Sequence, residues 1–298
     1  MSLGGYALAH RFVQRRRDQL ARRLDNRRLC VLVVGQGVQA AAWAQVLANA
    51  CLAVDWVGGA DLVETARQAL QPAGWAPTAI APRVLACPDA ACEYDLALVT
   101  APATELDSAA LRLRMVPHTP VLVLSRQLAQ QIPYEALFGG EAPLVGVPWP
   151  EERDGRAGPR GLLIGEADGA RSHQVRLAQR LLARSGLTVR VERHVVDALR
   201  RYSLLVTIEA LARRGRTGAA GASGVGGPDW RALVDDEART LCSREGLDWP
   251  PQARALAANW LRQAPVSPQE LEFLGANLLS LAHRHSVPTP MLAQLGRN

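Results

Sequence analysis

From Leu29 to Val34 the chain reads Leu-Cys-Val-Leu-Val-Val, six apolar residues without a polar break. An uninterrupted β-rich run of that length predicts a strand buried on both faces. The turn residues Gly35-Gln36-Gly37-Val38-Gln39-Ala40 end it, and the alanine-rich stretch 41–50 predicts a helix. A second strand is expected over 52–57, closing at Gly58-Gly59. Further strands are expected over 83–86, 96–100, 120–124 and 143–147, with helical stretches between several of them. Strands alternating with helices point to a doubly wound, mostly parallel sheet. A charged loop over 151–160 leads to a strand at 161–165, a helix over 170–185 ending at Gly186, and a last strand over 187–191.

The pattern then changes. Helical periodicity covers 194–214, 229–245, 251–263 and 268–285, and the Gly/Ala-rich segment 213–227 reads as a mobile loop. The chain therefore divides into a basic helical extension (1–27), a Rossmann dinucleotide-binding domain (28–192) and an all-helical domain (193–298). The fold class is α/β plus all-α. In the extension, Phe12, Val13, Leu20 and Leu24 recur at roughly helical spacing, which suits a helix docked on its own domain or on a partner subunit.

Composition sharpens this picture in two places. The net charge of +6 is carried largely by Arg11, Arg15, Arg16, Arg17, Arg22, Arg23, Arg27 and Arg28; without them the chain is close to neutral. No basic face interleaved with aromatics follows, so nucleic acid is not expected as a partner. The second feature is an absence, since all 34 Lys+Arg residues are arginine. Arginine holds its proton too tightly to release it near neutral pH. Of the five cysteines, Cys30, Cys51, Cys87, Cys92 and Cys242, three lie in strongly apolar stretches, as buried free thiols do; Cys87 and Cys92 lack a second ligand pair at metal spacing and read as isolated loop thiols, so no metal is expected. No apolar stretch is long enough to span a bilayer and no secretory signal is visible, so a cytoplasmic chain is expected.

The motif with chemistry is Gly35-x-Gly37-x-x-Ala40, between a strand and a helix, which is the context of the dinucleotide fingerprint. There Gly35 permits the tight turn, Gly37 admits the pyrophosphate to the backbone, and Ala40 packs helix on strand. Gly35, Gln36, Gly37 and Val38 are candidate cofactor contacts, with Thr100 at the end of the 96–100 strand. Asp55 stands at the spacing of a ribose-gripping acid, yet inside the second strand; a solvent-facing edge residue is an equal reading.

The stretches Val31–Ala40, Tyr94–Thr100, Pro120–Leu124, Ile164-Gly165, Leu181–Leu187, Val196–Ala212, Glu237–Gly246 and Glu270–Pro290 stand in the order and spacing of a known family. Over about Leu29 to Leu295 the chain resembles the ketopantoate reductases. The resemblance implies a Rossmann domain paired with a helical domain, substrate in the cleft between them, and reduction of a 2-oxo acid with NADPH. It places Arg201 where the family has its catalytic lysine, and Leu205 and Glu209 at two asparagine positions on the same helix. Pro102, Arg126-Gln127 and Gly59 stand at further polar positions of the family, and Glu270 matches its acid. Arg201, Glu270 and His194 are thus the candidate catalytic residues. A guanidinium at 201 can hold a carboxylate or a developing alkoxide, and His194, seven residues earlier, could share its helix face and move a proton. Tyr202 is another conceivable donor. The resulting expectation is a divergent reductase using NADP or NAD on a small oxo acid or imine other than ketopantoate. The alternative is a catalytically silent homologue that binds a ligand or protein partner. A small-molecule substrate is expected, a homodimer is allowed, and no membrane partner is expected.

Overall fold

The computed structural model describes residues 29–49, 53–58, 82–101, 105–124, 143–149, 161–218, 230–263 and 266–297. The basic extension, Gly59, Pro102 and Arg126-Gln127 lie outside these residues.

Eight strands form one sheet: β1 (Cys30–Val34), β2 (Ala53–Val57), β3 (Arg83–Leu85), β4 (Leu96–Val99), β5 (Val121–Val123), β6 (Leu144–Trp149), β7 (Gly161–Glu166) and β8 (Thr188–Val191). Their order is β3-β2-β1-β4-β5-β6-β7-β8. Every neighbouring pair is parallel except β6 with β7. The first six strands thus stand in the order of two mononucleotide-binding halves, reversing direction of travel between β1 and β4.

Helices cover both faces, which explains the unbroken apolar runs. Val31 and Val33 face the layer built by α1 (Gly37–Asn49) through Trp43, Ala44 and Leu47, and by α3 (His173–Arg184) through Ala178 and Leu181. Leu32 and Val34 face the other way, onto Leu106, Ala109 and Leu113 of α2 (Leu106–Leu113). At roughly 25 cal/mol per Å² of apolar surface removed from water, a strand apolar on both faces gains twice what an amphipathic one does.

The remaining helices are α4 (Val195–Gly218), α5 (Trp230–Arg244), α6 (Ala253–Gln263), α7 (Pro268–Arg284) and α8 (Pro290–Arg297). Tyr202 to Ala212 are buried without interruption, because α4 is the centre around which the other four pack. Its core continues into the sheet through Val145, Val147 and Leu163. A Cβ at Gly165 would collide with the Glu192 carbonyl and come within 3.0 Å of Val195, so this glycine lets the start of α4 lie directly on β7.

Several element ends differ from the sequence expectation, and three have a clear structural reason. Helix α1 starts at Gly37, four residues early, because the fingerprint turn leads straight into it. Strand β6 continues past Pro148 to Trp149; β5 pairs only with Leu144 and Val145, so the proline's missing N–H faces no ladder on that side. Helix α4 runs on through Gly218, so residues 213–218 are helical rather than loop. Among the described residues no helix is long and apolar enough to cross a membrane.

Candidate dinucleotide site

The two fingerprint glycines do different work. The Gly35 N–H donates to the Val57 carbonyl at 2.9 Å, and the Gly35 carbonyl accepts from the buried Trp56 indole at 2.9 Å. Thr100, at the end of β4, donates its N–H to the Val34 carbonyl at 2.8 Å. A Cβ on Gly35 would overlap the Thr100 hydroxyl and reach the Thr100 and Ala101 backbone at 3.1 and 3.2 Å. Gly35 is therefore where β1, β2 and β4 close up. Gly37 has φ +74°, left-handed, and a Cβ there would meet nothing within 4 Å. Its backbone faces open space at the start of a thirteen-residue helix whose first turn has no acidic side chain.

That arrangement fits a pyrophosphate. Among the described residues, the helix N-terminus and the positive end of its dipole face open space beside Gly37, and the first turn carries no carboxylate to repel an anion. It also sits at the β1/β4 reversal, where the crevice of an open α/β sheet opens. The structure brings Gly35, Gly37 and Thr100 to this one place. Gln36 lies exposed beside them and Val38 is in the first turn of α1.

Asp55 has another task. It is buried and lies within β2, opposite Leu32 and Arg83. Its carboxylate takes Arg83 Nε at 2.8 Å, a second Arg83 nitrogen at 2.6 Å and the Tyr94 hydroxyl at 2.7 Å. Buried and holding three hydrogen bonds from Arg83 and Tyr94, Asp55 does not face solvent; it ties β3 and the β3–β4 connection onto β2. Burial, followed by the hydrogen bond to Asp55, pushes the Tyr94 hydroxyl above its ordinary value, so it remains a donor.

The three candidate catalytic residues do not converge. His194 is exposed, two residues past Glu192, whose N–H reaches the Ile164 carbonyl. Because β7 runs against β6, with Glu166 opposite Leu144, this corner is the edge of the sheet opposite Gly35. Arg201 is half-buried farther along α4. Its Nε has no hydrogen-bond partner, and no ion pair holds it among the described residues. Burial pushes the Cys242 thiol of α5 up to about 12, and the charge of Arg201 pulls it back, so the guanidinium lies near α5. Glu270 is buried at the start of α7, its N–H donating to the Ser267 side chain at 3.1 Å. Two residues on, Glu272 meets Arg214 at 3.9 Å, and Gly275 packs on Leu211. Arg214 lies thirteen residues beyond Arg201, about 20 Å along a helix, so Glu270 and Arg201 sit near opposite stretches of α4.

The positions that resemblance places after Arg201 are also packed inward. Leu205 is part of the helical core. Glu209 receives Arg213 Nε at 3.0 Å and approaches Arg254 at 3.8 Å. Arg254 in turn donates to Asp235 of α5 at 2.7 Å. Sequence reasoning missed this network, since Arg254 and Asp235 stand far along the chain from the Glu209–Arg213 pair. The Ser267 cap was legible, because Ser-Pro-Gln-Glu is a capping sequence with proline in its first turn.

No family model matches the sequence, and no curated protein matches it either. Solved structures do match. A PanE/ApbA family ketopantoate reductase from Ralstonia eutropha superposes with a TM-score of 0.65 at 20% identity, over 90% of this chain and 96% of its own. The 2-dehydropantoate 2-reductase of Geobacter metallireducens gives 0.64 at 16% identity, over 90% and 98%. The fold is that of the ketopantoate reductases. D-mandelate dehydrogenase, in a ternary structure with NADH and anilino(oxo)acetate, shares it at 0.62 and 13% identity, over 90% and 96%. On that fold this chain carries the Gly35-x-Gly37 turn and contains no lysine.

Proposed function

We propose that the protein is a nicotinamide-dependent reductase of a small oxo acid or imine other than ketopantoate. The observation that carries this reading is the open, left-handed Gly37 at the N-terminus of α1, with Gly35 closed against Thr100. Solved structures of the same fold include reductases of 2-oxo acids and one that holds NADH beside an oxoacetate. When bound, the cofactor supplies a hydride to the substrate's carbonyl or imine carbon.

The chain's own part would be positional and electrostatic. The Gly37 turn and the α1 N-terminus hold the pyrophosphate, Gln36, Val38 and Thr100 border it, and Arg201 holds the substrate's carboxylate or developing oxyanion. Arg201 cannot deliver the proton that completes the reduction, and water supplies it. Glu270 in this reading secures the start of α7. NADP against NAD is decided after β2, and the sequence there offers Gly59 and Asp61 and no arginine. The resemblance favours NADP.

The test is oxidation of NADPH and NADH over a panel of 2-oxo acids and cyclic imines, ketopantoate included. Turnover is expected with another member of the panel, and ketopantoate should fall about 10²–10⁴-fold below a lysine-dependent enzyme. Arg201→Ala should lower kcat/KM by the equivalent of about 2–4 kcal/mol, and Arg201→Lys should not restore it. A panel that stays silent, or an Arg201→Ala variant of unchanged activity, overturns the assignment. A second reading, a catalytically silent homologue that binds a ligand or protein partner, has Leu205 and Glu209 in its favour, both committed to helix packing. It requires no turnover on any substrate of the panel.

A further inference from the structure

Cys30 and Cys92 are 62 residues apart in sequence, yet their sulfurs lie 3.3 Å from each other. Both are free thiols. Their approach is built into the backbone on both sides. Cys30 opens β1, and Asp95 clamps it twice: the Cys30 N–H donates to the Asp95 carboxylate at 2.9 Å, and the Asp95 N–H donates to the Cys30 carbonyl at 2.8 Å. Cys92 donates its own N–H to the Asp89 carbonyl at 3.0 Å, closing a turn. Asp89 in turn takes the Ala91 N–H on its side chain at 3.0 Å and gives its N–H to the Tyr94 hydroxyl at 3.1 Å. The connection from 89 to 95 is thus pinned against the amino end of β1, with one sulfur from each side in contact.

A metal is the competing use of this cluster, because the two sulfurs and an Asp55 oxygen all lie within 4.8 Å of one another. Asp55 is not free to ligate. The Arg83 guanidinium occupies both of its oxygens and Tyr94 shares one. A dication would have to displace a fixed cation and take up two deprotonated thiols besides.

We propose that Cys30 and Cys92 form a reversible disulfide, a redox modification site at the edge of the sheet opposite the Gly37 turn. The oxidant is a low-molecular-weight disulfide of the glutathione type. The Cys92 thiolate attacks one sulfur of that reagent, the reagent's S–S bond breaks, and one thiolate leaves. Cys30 then attacks the Cys92 sulfur and expels the second thiolate. The protein loses two electrons and two protons, and the reagent is reduced to two thiols. Forming the bond needs the sulfurs to close from 3.3 Å to about 2.05 Å. Burial, then the neighbouring Cys92 sulfur, push the Cys30 thiol up to about 12. Capping Cys92 in the mixed disulfide removes that second contribution, which places Cys30 in the resolving role. Closure links β1 to the 89–95 connection and constrains the unfolded chain across a long loop.

The experiment treats the reduced full-length protein with oxidised glutathione and maps its peptides without reduction. Expected are the loss of two titratable thiols, a mass about 2 Da lower with no glutathione retained, and a Cys30–Cys92 cross-linked peptide. Thiol reductant should reverse all three. Oxidised protein should melt several degrees higher, and Cys87→Ser should behave like wild type. Cys30→Ala should stop at a glutathione adduct on Cys92. Separate adducts on wild-type Cys30 and Cys92, a Cys87–Cys92 link, or a bound zinc ion that protects both thiols would each overturn the proposal. Because the map is made on wild type, it decides the matter even if a variant folds poorly.

Discussion

Gly35 and Gly37 are two residues apart and fail in different ways when given a side chain. At Gly35 a Cβ would overlap the Thr100 hydroxyl and crowd backbone atoms that cannot swing aside. At Gly37 the added atom has room, and only the left-handed backbone resists it. Gly35→Ala is therefore expected to cost about 2–4 kcal/mol by overpacking and strain. Gly37→Ala should cost about 1–2 kcal/mol, the penalty of a left-handed L-residue, and leave a folded protein. Denaturant melts of the two variants test this order; a Gly37→Ala variant less stable than Gly35→Ala would contradict it. The glycine pair was legible in sequence because its spacing is local. The fates of Asp55, Glu209 and Arg201 were not, because each is settled by a partner far along the chain: Arg83 and Tyr94, Arg254, and the helix carrying Cys242.

The elements themselves followed from local pattern. A strand covered on both faces announces itself by unbroken apolar residues, and β1 and β4 stand where such runs occur, while β2 departs from the pattern only at Asp55. Element ends were less legible, since Pro148 and the Gly/Ala-rich stretch after Arg213 carry local signals that tertiary context overrides. Strand β3 shows the limit most clearly. Three residues long and at the sheet edge, it is held by Arg83 on Asp55 as well as by its own ladder. Tyr94→Phe removes the second donor to the buried Asp55 carboxylate and leaves the Asp89 N–H without its acceptor. The expected cost is about 1–3 kcal/mol. Amide exchange should accelerate in 83–85 and in the 89–95 connection while β6 and β7 stay protected. Uniform exchange across the sheet would show that the network does not act on this edge.

At the scale of the whole molecule, one chain packs a dinucleotide-type sheet onto a helical half through α4 and contains no lysine. Its alkaline stability carries a signature of the helical core. Burial holds the Cys242 thiol near 12 in the folded state against an ordinary value of 9.0. The unfolded chain therefore loses this proton first, and the thiol's contribution to stability, complete below pH 9, declines as pH rises from 9 towards 12. That slope should reach at most about 1.4 kcal/mol per pH unit. Cys242→Ala should start less stable and decline less steeply over the same range, and parallel slopes would contradict the assignment. The overall architecture was legible from the alternation of elements and from the ordered stretches shared with the ketopantoate reductases. The chemistry was less legible, because Leu205 and Glu209, singled out by the resemblance, are taken up by the helical core and by an ion-pair network. Everything functional rests on whether the Gly35–Gly37 turn holds a dinucleotide. Calorimetric titration of the wild-type protein and of Gly37→Ala with NADPH and with NADH tests this most directly. At least one nucleotide should bind the wild type, with affinity at least tenfold weaker in the folded Gly37→Ala variant. Failure of both nucleotides to bind the wild type at millimolar concentration, or equal binding by the variant, would contradict the account.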